Sequence, residues 1–155
     1  MIDGTTTGEC STRILVDADA CPVKEIILRM AKRRNIPVTM VIDTSHELGD
    51  GYSTVITVDK GSDSADYVIT NMVTCHDIVV TQDYGLGAMV LAKGASAIDQ
   101  NGMVYTGDNI DILLERRYIG QKIRRGGGRT KGPKKRTKED DERFENAFVK
   151  MLDWK

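Results

Sequence analysis

The stretch ILVDADACPVKEIILRMAKRRN, residues 14–35, decides the fold. It opens on the apolar run 14–16, which is typical of a buried strand. Two aspartates, Asp17 and Asp19, follow where the run ends. Pro22 suits the first position of a helix, where its missing N–H costs nothing. The apolar positions that follow share one helix face: Val23, Ile26, Ile27, Met30 and Ala31. The stretch therefore predicts a strand and a helix joined by a turn that carries two carboxylates.

Strand and helix patterns alternate along the rest of the chain. Further strands are predicted at 37–43, 53–59, 77–81 and 95–99, and helices at 62–73 and 84–94. Asp108 is predicted to cap a helix that continues to Tyr118. Thr137 and Asp140 have the spacing of a capping box for a final amphipathic helix. This alternation predicts an α/β protein with right-handed βαβ units around a parallel sheet.

Charge is distributed very unevenly along the 155 residues, although the formal net charge is only −1. Residues 1–115 carry 17 acidic and 8 basic side chains, whereas residues 116–138 carry 11 basic side chains and no acid. A basic segment on an acidic body indicates a polyanionic partner, such as RNA, that is bound through residues 116–138. We divide the chain into a tail at 1–12, an α/β domain at 13–120, a basic arm at 121–138 and a helix at 139–155 that packs on the domain.

The cysteine count and hydropathy exclude several classes of protein. The three cysteines have no CxxC spacing, so neither a disulfide framework nor a zinc knuckle is indicated. No run approaches the roughly 18 apolar residues of a membrane span. The first residues lack the basic and apolar regions of a signal peptide. We therefore expect a soluble cytoplasmic protein with no membrane partner.

Acidic residues recur directly after the predicted strands. Asp17 and Asp19 follow the first strand, Asp83 follows DIVVT, and Asp99 ends ASAID. Two further acids, Asp63 and Asp66, open the helix at 62–73. Because ligands of open parallel sheets bind beyond the carboxyl ends of the strands, we expect these carboxylates to share one edge of the sheet.

Clustered carboxylates repel one another unless a cation lies between them. Mg²⁺ prefers oxygen ligands and needs few carboxylates, because it keeps several waters. Such an ion can activate a water and stabilise negative charge on a phosphoryl oxygen. The pattern therefore predicts a Mg²⁺ or Mn²⁺ site formed by Asp17, Asp19, Asp63, Asp66 and Asp83.

Structural roles explain some of the same residues. Asp17, Asp19, Asp63 and Asp66 have the positions of helix caps or dipole partners. Asp83 precedes Gly85 and suits a turn, and turn chemistry is the better interpretation of Asp99. We interpret Cys21 as a buried structural cysteine, and His46 and His76 as surface or capping residues.

Four segments closely resemble the bacterial YaiI/YqxD family of uncharacterised proteins: VDADACPVKEIILRMAKR, GSDSADYVI, DIVVTQDYGLGAMVLAKGA and RRGGGRTKGP. The resemblance covers residues 13–155. It implies a PIN-like nuclease fold, a three-layer α/β/α architecture with a central, mainly parallel sheet and acids around a divalent metal. In that pattern the first acid falls on Asp17, the middle one on Asp63 or Asp66, and the T-x-D acid on Asp83. The doubled Asp17/Asp19 is the family's own variation.

Three functions are compatible with these features. The first is a metal-dependent ribonuclease, a phosphodiesterase with Asp17 and Asp83 as catalytic residues. Basic side chains would hold the RNA backbone: Arg124, Arg125, Arg129, Lys131, Lys134, Lys135 and Arg136. The second is an RNA- or ribosome-associated protein without catalytic activity. The third is a phosphatase of the haloacid-dehalogenase type, because ILVDADAC also resembles the D-x-D motif of that fold.

Overall fold

The computed structural model describes residues 11–19, 21–43, 50–59, 64–127 and 135–154. In these ranges strands and helices alternate as the sequence predicts. The strands are β1 (Ile14–Asp17), β2 (Val38–Asp43), β3 (Thr54–Val58), β4 (Ile78–Val80) and β5 (Ser96–Ile98). The helices are α1 (Lys24–Arg34), α2 (Ser64–Met72), α3 (Tyr84–Ala92), α4 (Gly107–Arg125) and α5 (Lys138–Trp154).

The five strands form one parallel sheet in the order β3-β2-β1-β4-β5. Strand β1 is central, with Asp17 opposite Val41 of β2 and Val16 opposite Val80 of β4. Because the strands are parallel, their carboxyl ends lie at the same edge of the sheet. The turns after β1 and β4 therefore meet there, and both carry aspartates.

Both faces of the sheet are covered, so the architecture is a three-layer α/β/α sandwich. Ile14 and Val16 pack with α1 and with Phe144 and Phe148 of α5 in one apolar cluster. Leu15 points to the opposite face and packs with residues of α2, α3 and α4. This alternation along β1 explains why its whole run is apolar, since each residue is buried on one side or the other. The predicted fold class is confirmed.

Helix boundaries differ from the sequence prediction at two places. Helix α1 begins at Lys24 after the cap position Val23, so Pro22 precedes the helix. Helix α4 is capped by Thr106 and not by Asp108, because Thr106 and Asn109 form a reciprocal capping box. The predicted box at the start of α5 is confirmed, since the amide of Asp140 donates to Thr137 Oγ1 at 3.3 Å.

Helix α4 continues to Arg125 and therefore passes through residue 120, where the sequence analysis placed a domain boundary. None of the helices in the described ranges combines the length and the apolar character needed to cross a lipid bilayer.

Candidate functional site

The turn after β1 ties its two aspartates to neighbouring strands. The amide of Ala18 donates to the carbonyl of Val41 at 3.0 Å, which extends the pairing with β2 by one residue. Asp19 Oδ2 accepts the amide of Asp43 at 3.0 Å, at the end of β2. These two contacts fix the chain that directly follows Asp17, at the carboxyl edge of the sheet.

Thr81 joins the ends of β1 and β4. Its hydroxyl donates to Asp17 Oδ2 at 3.0 Å and accepts the amide of Asp83 at 3.0 Å. Its carbonyl accepts the hydroxyl of the buried Tyr105 at 3.0 Å. Asp17 and Asp83 therefore lie at the same edge of the sheet, as predicted, and one threonine bridges them.

A small cavity of about 30 Å³ opens beside Asp17, close to the volume that one water occupies in the liquid. It is lined by Asp17, Asp19, Cys21, Val80, Thr81, Gln82 and Gln100. Two of these lining residues each have a buried side-chain oxygen with no hydrogen-bond partner among the described residues, Asp19 Oδ1 and Gln100 Oε1. Burying an unpaired acceptor costs about 1–3 kcal/mol. Two such acceptors next to a carboxylate form a site that suits a cation.

The surroundings of Asp17 disfavour its negative charge. Burial raises the pKa of its carboxyl above the usual value of 3.8, the hydrogen bond from Thr81 opposes this shift, and the charges of Asp83 and Asp19 add to it. The Asp17 carboxylate is therefore held at a cost that a bound cation would relieve.

This shift predicts a specific pH dependence of stability in EDTA. The folded chain binds the Asp17 proton more tightly than the unfolded chain, so ionisation of Asp17 destabilises the fold. The penalty is absent below the unfolded value of 3.8 and is complete above the raised folded value. Asp17→Asn removes the penalty and retains an acceptor for Thr81. We expect the free energy of unfolding of the wild type, from urea denaturation, to fall relative to Asp17→Asn as the pH rises through this window. A constant difference from pH 3.5 to 8 would contradict the assignment.

Asp83 has a structural role at the start of helix α3, which agrees with its position before Gly85. Its Oδ1 caps α3 by accepting the amides of Gly85 at 2.9 Å and Leu86 at 3.3 Å. The same oxygen accepts Nη1 of Arg117, on α4, at 3.1 Å. Asp83 does not line the small cavity. Its negative charge nevertheless contributes, after burial, to raising the pKa of Asp17.

Of the two remaining predicted ligands, the one that the structure describes does not line the small cavity. Asp66 lies on α2 in a separate groove with Tyr67, Thr70, Asn71 and Met89. Asp99 forms a turn, because its Oδ1 accepts the amides of Asn101 and Met103 at 2.8 and 2.9 Å. Asp63 lies outside the described residues. Within the described ranges, no three or more His, Cys, Asp or Glu side chains form a group that could hold a metal ion.

Cys21 is buried, with 8% of its surface exposed. Burial raises the pKa of its thiol, so the neutral form is favoured at physiological pH. Because the thiolate is the reactive and metal-binding form, Cys21 is a poor ligand and a poor nucleophile. The interpretation of Cys21 as a buried cysteine is confirmed.

A larger basic cleft of about 500 Å³ adjoins the small cavity. It is lined by Gln82, Gln100, Asn101, Lys135, Arg136 and Arg143, with Thr137 and Asp140 at the start of α5. The turn after β5 packs tightly on α5 here. Gly102 has a φ of +90°, and a Cβ at that position would lie 2.5 Å from the carbonyl oxygen of Arg143.

The basic residues predicted to bind nucleic acid have different surroundings. Arg124, Arg125 and Lys135 are exposed, the first two at the end of α4. Arg136 is held by Asp141, Asn101 and the carbonyl of Gln100, so it fastens the start of α5 to the turn after β5. Arg129, Lys131 and Lys134 lie outside the described residues.

Sequence reasoning missed several residues of this site. Thr81 is visible only as the first letter of the T-x-D pattern, and its bridging role depends on strand register. Gln100 lay in a segment interpreted as a turn, and Arg143 lies on α5, far from the strands in the sequence. No local pattern marks these two, because the pairing of the turn after β5 with α5 is a tertiary contact.

Comparisons with known proteins agree on one family. A family model described as "Uncharacterized BCR, YaiI/YqxD family" matches residues 15–153. A UPF0178 protein of Ruminiclostridium cellulolyticum is 64% identical over 90% of this chain and 92% of its own. UPF0178 proteins of Clostridium kluyveri and Exiguobacterium sibiricum are 55% and 50% identical over 92% and 90% of this chain, and 95% and 96% of their own. No solved structure matches this one. The extent and identity of these matches show that the chain belongs to the YaiI/YqxD family.

Proposed function

We propose that the protein is a divalent-metal-dependent phosphodiesterase that acts on RNA. The observation that carries the proposal is the small cavity, whose lining combines the carboxylate residue Asp17 with Asp19 and Gln100, each of which has an unpaired buried oxygen. A site built from oxygen acceptors is stabilised by a cation, by a proton or by a donor such as water, and the neighbouring negative charges at this site favour the cation.

The donor set fits Mg²⁺ or Mn²⁺ better than a softer metal. Both ions suit carboxylate and carbonyl oxygens, and Mg²⁺ is commonly held by one or two carboxylates and several waters. Asp17 and Asp19 would supply the carboxylates and Gln100 an amide oxygen. Among the described lining residues, Cys21 alone carries a sulfur, and burial favours its neutral thiol. Two carboxylates are enough for such an ion, so the lack of a three-ligand group among the described residues does not argue against it.

The chain's own residues would position the reaction. When bound, the ion supplies a Lewis acid that activates water and neutralises charge on a phosphoryl oxygen. Thr81 orients Asp17 through its hydroxyl, and Tyr105 holds Thr81 in place. Asp83 stays structural in this arrangement, since α3 and Arg117 occupy its Oδ1.

The basic side chains would supply most of the affinity for RNA. Arg124, Arg125 and Lys135 are exposed, and the segment 116–138 carries 11 positive charges. Each phosphate that these side chains neutralise releases counterions, so binding weakens as salt rises. This term is independent of sequence, and it explains a basic segment attached to an acidic body.

The activity is tested by incubating labelled single-stranded RNA with the full chain in Mn²⁺ or in EDTA. We expect cleavage in Mn²⁺ that EDTA abolishes and that Asp17→Asn lowers by at least about 100-fold, as removal of a transition-state contact does. The matched control is Asp153→Asn. It removes an exposed carboxylate that pairs with Arg34, at the end of α1 and hence at the opposite edge of the sheet.

Two results would contradict the proposed activity. One is equal cleavage by the wild type and Asp17→Asn, and the other is RNA binding without any metal-dependent cleavage. The second result would favour the RNA-binding function without catalysis. Turnover of a small phosphomonoester, with a phosphoryl group trapped on Asp17, would favour the phosphatase.

A further inference from the structure

We propose that the basic cleft is a subsite for a phosphate-bearing nucleotide unit, next to the phosphodiester that is cleaved. This inference rests on the proposed function and deepens it, because it assigns the substrate to single-stranded nucleic acid with one nucleotide seated in the cleft. Cations of the cleft lie beside acceptors of the small cavity, so that a metal ion and a neighbouring phosphate are bound side by side.

The size and chemistry of the cleft suit such a ligand. Its volume of about 500 Å³ falls within the range of about 300–1,000 Å³ that is usual for ligand sites. Three cationic side chains line it, those of Lys135, Arg136 and Arg143. No aromatic side chain is among its described lining residues. Recognition would therefore depend on phosphate charge and not on base stacking.

Arg136 is fixed before any ligand binds. Its Nε donates to Asp141 at 2.7 Å, its Nη1 to Asn101 Oδ1 at 2.9 Å and its Nη2 to the Gln100 carbonyl at 2.7 Å. A cation that is already held in place loses little conformational entropy on binding. Arg136 therefore places a fixed positive charge at the wall of the cleft. We leave it unchanged in the test because its replacement would disturb the fold.

Arg143 and Lys135 are the cations available to move towards a ligand. Arg143 is 62% exposed and pairs with Asp140 in the same turn of α5. The amide of Thr137 keeps the pKa of Asp140 below its usual range, so Asp140 adds one negative charge to the cleft. A surface pair of this kind contributes little to stability, so the phosphate of a nucleotide can compete with Asp140 for Arg143.

The cleft and the small cavity are neighbours, because Gln82 and Gln100 line both. A phosphate in the cleft would lie on one side of these amides, and Asp17 and Asp19 lie on the other. The two compartments have opposite charge, basic in the cleft and acidic in the cavity. This separation suits a nucleic acid that has one phosphate bound by arginine and lysine in the cleft. The neighbouring phosphate would then lie at the metal site.

The inference is tested by the binding of uridine 5′-monophosphate to the full chain in EDTA, measured by isothermal titration calorimetry. We expect saturable binding to the wild type, and binding of uridine at least about tenfold weaker, because uridine lacks the phosphate. Lys135→Ala/Arg143→Ala should weaken nucleotide binding by at least about tenfold. Arg29→Ala is the matched control, since Arg29 also forms an exposed ion pair with a carboxylate of α5, Glu145, and should bind within about twofold of the wild type.

Three results would overturn the inference: no nucleotide binding by the wild type, equal binding of uridine, or equal binding by the double variant. The Arg143→Lys variant keeps the positive charge and should retain most of the affinity for uridine 5′-monophosphate. It tests the inference if the double variant fails to fold. EDTA separates this inference from the proposed function. Metal-dependent RNA cleavage without nucleotide binding would overturn the cleft alone, and nucleotide binding without cleavage would overturn catalysis alone.

Discussion

Asp77→Ala should lower the free energy of unfolding by about 3 kcal/mol, the lower end of the usual loss when one partner of a buried ion pair is removed, because the Arg13 side chain is 32% exposed. Asp77 is 1% exposed, before β4. Its carboxylate accepts Nε and Nη2 of Arg13 at 3.1 and 2.8 Å, and the amide of Thr74 at 2.8 Å. Arg13 also donates to the carbonyl of Met72 at 2.7 Å. One carboxylate thus joins the start of β1, the end of α2 and the start of β4.

Urea denaturation measures this loss, and Asp153→Ala provides the comparison. Asp153 pairs with Arg34 at the surface, where its side chain is 62% exposed, and such pairs contribute about 0–1 kcal/mol. The large effect of Asp77→Ala comes from burial, since it leaves the Arg13 guanidinium and the Thr74 amide without their acceptor. Equal and small losses in the two variants would show that the Asp77 contacts do not stabilise the fold.

The sequence was sufficient to predict the architecture because strand and helix patterns are local. The run 14–16 is apolar throughout, and a strand with both faces covered has this composition. Predicted strands extend one residue too far where the terminal residue makes a different interaction. Thr81 leaves the predicted strand at 77–81 to bridge Asp17 and Asp83, and Asp77 leaves it to bind Arg13. The cap of α4 was wrong because Thr106 and Asp108 are both good cap residues, and only the contact with Asn109 distinguishes them.

The site was predictable only in part, for physical reasons. Parallel strands place their carboxyl ends together, so sequence alone brings Asp17 and Asp83 to one edge. The sequence does not show which carboxylate oxygens already accept hydrogen bonds. Asp83 uses its Oδ1 to cap α3, whereas Asp19 Oδ1 is left unpaired in the cavity. The basic cleft was missed because its walls come from the turn after β5 and from α5, which are distant in sequence.

The second large expected effect is stabilisation of the wild type by a divalent ion. An ion that binds the folded chain at one hundred times its Kd adds about 2.7 kcal/mol of stability, which is roughly 5–10 °C in Tm for a chain of this size. At the small cavity the gain has a clear source. The ion would pair Asp19 Oδ1 and relieve the charge repulsion at Asp17. Replacing a residue that is hydrogen-bonded to a metal ligand typically weakens metal binding by about 10–100-fold. Replacing a carboxylate that binds the ion directly should weaken metal binding by more than this.

The most direct test of the central claim is thermal unfolding of the wild type, Asp17→Asn and Asp153→Asn, each in EDTA and in Mn²⁺. We expect Mn²⁺ to raise the Tm of the wild type and of Asp153→Asn by several degrees and to leave the Tm of Asp17→Asn nearly unchanged. An increase for Asp17→Asn equal to that of the wild type, or no increase for the wild type, would contradict a metal site beside Asp17.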